Sequence, residues 1–367
     1  MLVVSVQLRD FRTYSRAEAQ IGSGLTVVYG PNGAGKSNLL EALYFGCTGH
    51  SSRTRNEREL VRFGAQAARV VVSLLDRGRP HELTVGFQPG EPRRMTVDGA
   101  AVERMTEVEQ RPLVSVFSPE RLELVKGAPS LRRSHLDRLV AALWPARAST
   151  RRHYARALAQ RNALIAAIRA SRASRASLPG WDRELARHAV SLSRFRAELV
   201  ALLAEPFALR ASQLGLDGEC RLEYRPRSRA SDEQELLAEL HERLPLDLAR
   251  GFCTHGPHRD ELAFLRDGRL LRAYGSQGEQ RLALLALLLA ERSVLARELD
   301  RLPLMLLDDV MSELDPARRE LLAEELGEGG QSLIATTDLS HVPGASSSSV
   351  TRLRVSTGTV LQEALAA

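Results

Sequence analysis

Short apolar runs bounded by Gly, Pro, Asp and Arg dominate the first 120 residues of the chain and predict strands. They fall at Leu2–Leu8, Leu25–Tyr29, Arg69–Leu75, Glu82–Phe87, Arg94–Val97 and Leu113–Phe117. Asp98-Gly99, set between Met95-Thr96-Val97 and Ala101-Val102, predicts a hairpin turn. From Leu131 to about Phe207 the period becomes helical and arginine-rich, with a break predicted at Pro179-Gly180 in "SRASRASLPG" (171–180). At roughly 1.5 Å per residue, neither helical arm exceeds about 60 Å. Strands resume near Cys220–Tyr224, and "ELAFLRDGRLLRAYG" (261–275) reads as a hairpin around Asp267-Gly268. A long helix from about Ser276 to Leu299 follows, then a strand at Leu302–Leu307, a helix from about Pro316 and a strand at Ser332–Thr336. "GASSSSV" (344–350) reads as a surface loop.

Between the second of these strands and the helical run Leu39-Leu40-Glu41-Ala42-Leu43 lies "GPNGAGKSN" (30–38). The spacing Gly30-x4-Gly35-Lys36-Ser37 fits a phosphate-binding P-loop. Glycines let the backbone turn tightly and aim successive N–H groups inward. The helix opening at Lys36 adds its positive end, Lys36 suits the β- and γ-phosphates, and Ser37 suits Mg²⁺. The whole run Gly30, Pro31, Asn32, Gly33, Ala34, Gly35, Lys36, Ser37 and Asn38 is therefore the expected nucleotide cradle, with ATP and Mg²⁺ as cofactors. Composition sharpens this reading. Of 51 basic residues only Lys36 and Lys126 are lysines, and a planar guanidinium cannot replace a compact ammonium between two phosphates.

A P-loop needs a partner carboxylate at the end of an apolar strand, and "LPLMLLDDV" (302–310) supplies one. Asp308 suits a Mg²⁺-holding role, and Asp309 is placed to orient or deprotonate an attacking water. "SELD" (312–315) follows, with Asp315 as N-cap before Pro316 at the first helical position. Some thirty residues upstream stands "YGSQGEQR" (274–281). Alone, Ser276 and Gly278 mark an ordinary helix start. In order with the other motifs they read as an ABC-type signature, with Ser276, Gln277, Gly278 and Glu279 facing a γ-phosphate bound by a second subunit. ATP would then join two copies head to tail with twofold symmetry.

Composition narrows the setting. Hydrophobic content of 44% and 367 residues suit two domains, or one large α/β domain with an insertion. The net charge of +6 favours an acidic partner such as nucleic acid. Cys47, Cys220 and Cys253 share no metal-ligand spacing, which suits a reducing cytoplasm. "MLVVSVQLRDFRTY" reads as a strand and not as a signal peptide, and the longest apolar run, Leu282 to Ala290, is too short to span a bilayer.

With these motifs in place, the chain resembles the RecF family, bacterial recombination mediators in the SMC-like branch of ABC ATPases. The resemblance lies in "LRDFRTY" (8–14), "GPNGAGKSNLLEAL" (30–43), "SSRTR" (51–55), "FSPERLELVKGAPSLRR" (117–133), "GPHRDEL" (256–262), "GSQGEQR" (275–281) and "MLLDDVMSELD" (305–315). It covers both ends and leaves the helical middle weakly matched. It implies ATP-dependent dimerisation on DNA at gaps or junctions and weak, DNA-stimulated hydrolysis. It also implies cooperation with RecR and RecO in placing RecA, in the cytoplasm and without a membrane. The implied fold is a mixed α/β ATP-binding lobe (1–125 plus 301–367) and a largely helical lobe carrying the signature (126–300).

Departures from transporter ATPases are equally informative. Gln277 and Glu279 depart from a transporter signature, Asp309 replaces the usual glutamate, and Thr337 of "ATTD" stands where a switch histidine would be. Thr337 and Asp338 are the candidates to sense the γ-phosphate. No clear Q-loop glutamine is present, and Glu120 is its stand-in. A transporter subunit would offer both missing groups, and a structural SMC protein would need coiled coils hundreds of residues long. Arg12 and Arg53 read as solvated side chains, with approach to the nucleotide as the alternative. His258-Arg259-Asp260 reads as a structural turn, and Lys126 is unexplained, its retention hinting at a contact that needs a slim ammonium.

Overall fold

The computed structural model describes residues 1–54 and 56–363. Arg55, the last residue of the "SSRTR" block, and residues 364–367 lie outside the described residues. The chain divides into two compact units. One comprises Met1–Arg121, Gln213–Gly215 and Leu295–Ala367, and the other Leu122–Ser212 and Leu216–Val294.

The first unit is mixed α/β and contains two six-stranded sheets. One is antiparallel throughout, in the order Tyr14–Gln20, Leu2–Phe11, Ala68–Asp76, Arg79–Phe87, Arg94–Val97, Ala100–Ala101. Its strands alternate between a buried face (Val6, Leu8, Val70, Val72) and a solvent face. The other runs Thr359–Gln362, Thr351–Ser356, Leu25–Tyr29, Ser332–Thr336, Leu304–Asp308, Val114–Phe117, and only its terminal hairpin is antiparallel. Its central strands are buried almost end to end, which is why "LMLL" and "SLIAT" read as unbroken apolar runs.

The helix Lys36–Thr48 packs against both sheets. Leu39, Leu43 and Phe45 join one core with Val6, Val70 and Val72 of the antiparallel sheet and Val28, Leu306 and Leu333 of the parallel one. Gly46 permits this approach. A Cβ there would stand 2.4 Å from Val72 Cγ2.

The second unit holds the helices Pro129–Leu143, Thr150–Arg169 and Glu233–Arg250, most of Leu178–Gln213 and Gln277–Leu299, and a three-stranded antiparallel sheet. That sheet runs Arg269–Leu270, Glu261–Arg266, Cys220–Arg225. Tyr154, Leu185, Leu192, Leu236 and Leu240 form a helical core. No described helix is long and apolar enough to cross a membrane.

Several elements differ from the pattern-based expectation. The helical break lies at residues 170–177, which overlaps the expected segment 171–180 but ends before Pro179-Gly180. Pro179 sits in the first turn of Leu178–Gln213, where a missing N–H loses no helical bond. Tyr14–Gln20 is a strand whose inward residues after Tyr14, Ala17 and Ala19, are too weakly apolar to mark it. The strand after Pro303 begins at Leu304, since proline has no N–H for the ladder. The helix Glu233–Arg250 lies where the pattern predicts no element, its period interrupted by Pro245.

Candidate nucleotide site

The P-loop follows directly from its strand. Gly30, Gly33 and Gly35 have φ of 152°, 78° and 117°, a region that side chains avoid. At Gly30 a Cβ would meet Val355 O at 2.1 Å, and at Gly35 the Tyr14 hydroxyl at 2.8 Å. Gly33, by contrast, faces open space. Buried Tyr14 donates its hydroxyl to Gly35 O at 2.9 Å, bracing the loop from behind. Lys36 Nζ donates to Gly30 O at 2.8 Å and Pro31 O at 3.0 Å, so the ammonium lies inside the loop's curve. Burial holds its pKa below the usual lysine range, opposed by the charges of Asp309 and Asp308.

Parallel register brings the carboxylates to the same edge. Leu304–Asp308 pairs with Ser332–Thr336 so that Asp308 stands opposite Ala335, and Thr336 in turn stands opposite Tyr29, the residue before the loop. Ser37 Oγ donates to Asp308 Oδ1 at 2.9 Å. Burial raises the Asp308 pKa above the usual carboxylate range. The Ser37 bond and Arg53 act against that, while Glu120 and Asp309 add to it. Asp309 is exposed and has φ of 54°, a left-handed conformation that Asp tolerates. Its N–H donates to Ala335 O at 3.1 Å.

Glu120 enters from the outer strand, Val114–Phe117, whose Phe117 stands opposite Leu307. Its carboxylate accepts from Arg53 Nε at 3.3 Å. Burial pushes the Glu120 pKa up, but its own backbone N–H and Arg53 bring it below the usual value. Thr337 and Asp338 follow the strand Ser332–Thr336 and are exposed. The Asp338 carboxylate accepts from Ser340 N at 2.9 Å, and that bond lowers its pKa.

Arg12 and Arg53 are not solvated side chains. Arg12 makes two 2.9 Å bonds to Glu41, a buried acid on the P-loop helix, and Arg53 Nη1 lies 3.6 Å from the same carboxylate. Arg53 Nη1 also donates to Asn38 Oδ1 at 3.1 Å, and Asn38 Nδ2 donates to Thr13 Oγ1 at 3.1 Å. The amide of Asn38 thus ties the loop's exit to two flanking segments. Pattern reading passes over Glu41. An acid on the apolar face of "KSNLLEAL" was the available signal.

In the second unit, Ser276 and Glu279 cap the helix Gln277–Leu299 reciprocally. Ser276 N donates to Glu279 Oε2 at 2.7 Å and Glu279 N to Ser276 Oγ at 3.3 Å. The spacing S-x-x-E in "SQGE" is the sequence signal for this box. Glu279 also pairs with Arg266, and the Ser276 N–H, followed by Arg266, holds its pKa low. Ser276 Oγ accepts in the box, which leaves its O–H hydrogen to donate outward.

In the remaining blocks the side chains bond to residues of the second unit. Buried Arg132 binds Glu261 through two bonds of 2.7 and 3.0 Å and also donates to Gly127 O. His258 Nδ1 meets the Tyr154 hydroxyl at 2.6 Å, and Asp260 accepts from Arg227 N at 2.7 Å. Lys126 pairs with Glu123 at 3.5 Å on the surface, and among the described residues no contact of it requires a slim ammonium. The three cysteines are buried and unpaired, and Cys47 is pushed up to about 12 by burial.

This constellation can be set beside known proteins. The family described as RecF/RecN/SMC N terminal domain matches residues 2–357. A protein of Myxococcus xanthus named "DNA replication and repair protein RecF" is 37% identical over 98% of this chain and 97% of its own length. Another of that name, from an Anaeromyxobacter strain, is 39% identical over 92% of this chain and 93% of its own. The chain belongs to the RecF family. Its relatives are DNA replication and repair proteins. A solved structure named "Structure of the recombination mediator protein RecF-ATP in RecFOR pathway" superposes with a TM-score of 0.88 at 27% identity, covering 99% of this chain and 98% of that one. An Smc head bound to the C-terminal winged-helix domain of ScpA superposes at 0.60 with 16% identity, a likeness of fold alone. RecF-family membership thus rests on nearly the full chain.

Proposed function

We propose that this RecF-family chain is an ATP-dependent DNA-binding protein of recombinational repair. ATP closes two copies on DNA at gaps or junctions, and slow, DNA-stimulated hydrolysis releases them. RecR and RecO are its partners and RecA the protein whose loading it helps, in the cytoplasm. The observation that carries the ATP reading is the 2.9 Å bond between Ser37 and Asp308, which puts a P-loop hydroxyl and a strand-end carboxylate side by side.

The residues fit the cofactors. A loop with three glycines at positive φ and an ammonium within it suits a phosphate chain. The Ser37 and Asp308 oxygens suit Mg²⁺, a hard cation that keeps several waters. Mg²⁺ would neutralise phosphate charge there. Gly30 to Asn38 would hold the nucleotide, with Lys36 stabilising charge on the γ-phosphate and Asp309 taking a proton from water at its carboxylate. Ser276, Gln277, Gly278 and Glu279 would complete the second copy's site, Glu279 by setting the cap and the others by donating to the γ-phosphate. The DNA role is supported by the names of the full-length relatives and by the basic net charge.

Sedimentation of the chain with short gapped duplex, with and without a non-hydrolysable ATP analogue, tests the reading. A dimer formed with the analogue, together with tighter DNA binding, is expected. A monomer with equal DNA affinity in both states would overturn it.

A further inference from the structure

Four arginines share one line across the antiparallel sheet of the first unit. Arg9 stands opposite Arg16 on one side and Arg69 on the other; Arg69 stands opposite Gly86, and Gly86 opposite Arg94. The neighbouring line, through Leu8 and Val70, is buried, so this one lies on the solvent face, and all four arginines are exposed. With strands about 4.8 Å apart, the line runs roughly 19 Å.

Like charges directly opposite one another weaken a ladder. Arg94 has Glu91 at 3.4 Å. Among the described residues Arg9, Arg16 and Arg69 form no ion pair with an acid. The sheet therefore carries a repulsive row that its own packing does not explain. Gly86 is a second feature without an internal cause. Its φ is not left-handed, and an added Cβ would meet only Arg94 O at 3.8 Å and Arg94 Cβ at 3.9 Å, ordinary contact. A glycine inside a strand forgoes packing and marks a place where another backbone can come close.

We propose that this line is a docking surface for the phosphodiester backbone of duplex DNA. Arg16, Arg9 and Arg69 hold phosphates on one side, Arg94 holds them on the other, and the backbone crosses the low floor at Gly86. The inference rests on the DNA-binding reading above and assigns it a surface. Guanidinium forks take two phosphate oxygens at once. The next line on the same face, Glu18–Gln7–Val71–Thr84–Thr96, offers no aromatic ring on which unpaired bases would stack. Recognition here is thus of backbone and not of sequence.

The test is a salt titration of anisotropy on a short duplex, using the full chain and the triple variant Arg9→Gln, Arg16→Gln, Arg69→Gln. Loss of three phosphate contacts lowers the log–log salt slope by about 2.7 and the affinity near 0.15 M salt by on the order of 100-fold. Relief of the like-charge row leaves the thermal midpoint unchanged or raises it. Dimerisation with an ATP analogue, measured without DNA, stays unchanged. Gly86→Val, which fits the strand, weakens duplex binding with the arginines intact. Wild-type binding with an unaltered slope in the triple variant would overturn the surface and leave the DNA reading standing. A lowered midpoint would make the row structural, and a greater loss on a single strand than on duplex would reject the duplex assignment. Failure of the wild type to bind duplex would remove both readings.

Discussion

Ser37 Oγ donates to Asp308 Oδ1 at 2.9 Å, joining segments 271 residues apart. The strand Ser332–Thr336 lies between the two strands that deliver them, so the bond exists only once that parallel sheet is assembled. It also sets a conflict, because Asp308 ionises where burial disfavours charge.

Replacing Asp308 by Asn removes that conflict. The folded-state pKa of Asp308 is raised, so its ionised form destabilises the fold above the carboxylate range and has no effect where it is protonated. The variant should melt with wild type well below pH 3.8, where Asp308 is protonated in both the folded and the unfolded chain, and above it at neutral pH, while losing Mg²⁺-dependent hydrolysis. Melting curves from acid to neutral pH without nucleotide check the sign.

Lys36→Met should abolish ATP-driven dimerisation and leave the fold intact. The ammonium is buried and, among the described residues, bonds loop carbonyls alone, so removing it relieves desolvation while a methionine fills similar space. Sedimentation with ATP, paired with a melting curve, separates lost binding from lost structure. Normal dimerisation would sink the cradle assignment.

Asp309→Asn should slow turnover far more than nucleotide binding, and the ATP-bound dimer should accumulate on DNA. Asparagine tolerates the φ of 54°, so the fold is preserved. Asp309→Ala should instead cost about 1 kcal/mol of stability for the left-handed backbone. Single-turnover hydrolysis and denaturant unfolding of both variants distinguish chemistry from strain.

Glu41→Ala should destabilise the first unit by about 3 kcal/mol, because Arg12 and Arg53 would then lose their shared buried partner. A double-mutant cycle with Arg12→Ala should show coupling of at least about 1 kcal/mol. Additive effects in urea unfolding would mean that the network is not a unit.

Ser276→Arg should leave nucleotide binding by the monomer unchanged and block the dimer, since bulk and charge would fill the space meant for the second copy's phosphate. Equilibrium dialysis and sedimentation read the two steps separately. Loss of monomer binding would count against a site completed in trans.

The local chemistry of this protein is legible in its sequence. Glycine spacing, the lone lysine of the loop and the apolar run before Asp308-Asp309 are encoded within a dozen residues each, so no distant contact is needed to see them. The strands Leu25–Tyr29, Arg94–Val97 and Ser332–Thr336 were equally plain, because runs of β-branched and apolar residues bounded by turn formers act locally. Tyr14–Gln20 was hidden because its inward positions after Tyr14 are alanines, and Glu233–Arg250 because Pro245 breaks its period.

Tertiary structure alone decided which of these pieces meet. Strand order put Ser37 beside Asp308, packing against two sheets buried Glu41 beneath Arg12 and Arg53, and ladder register lined up Arg9, Arg16, Arg69 and Arg94. A sequence lists side chains by their place along the backbone. Hydrogen bonds, desolvation and charge repulsion act through space over a few ångströms, and those distances are set only when remote segments pack together.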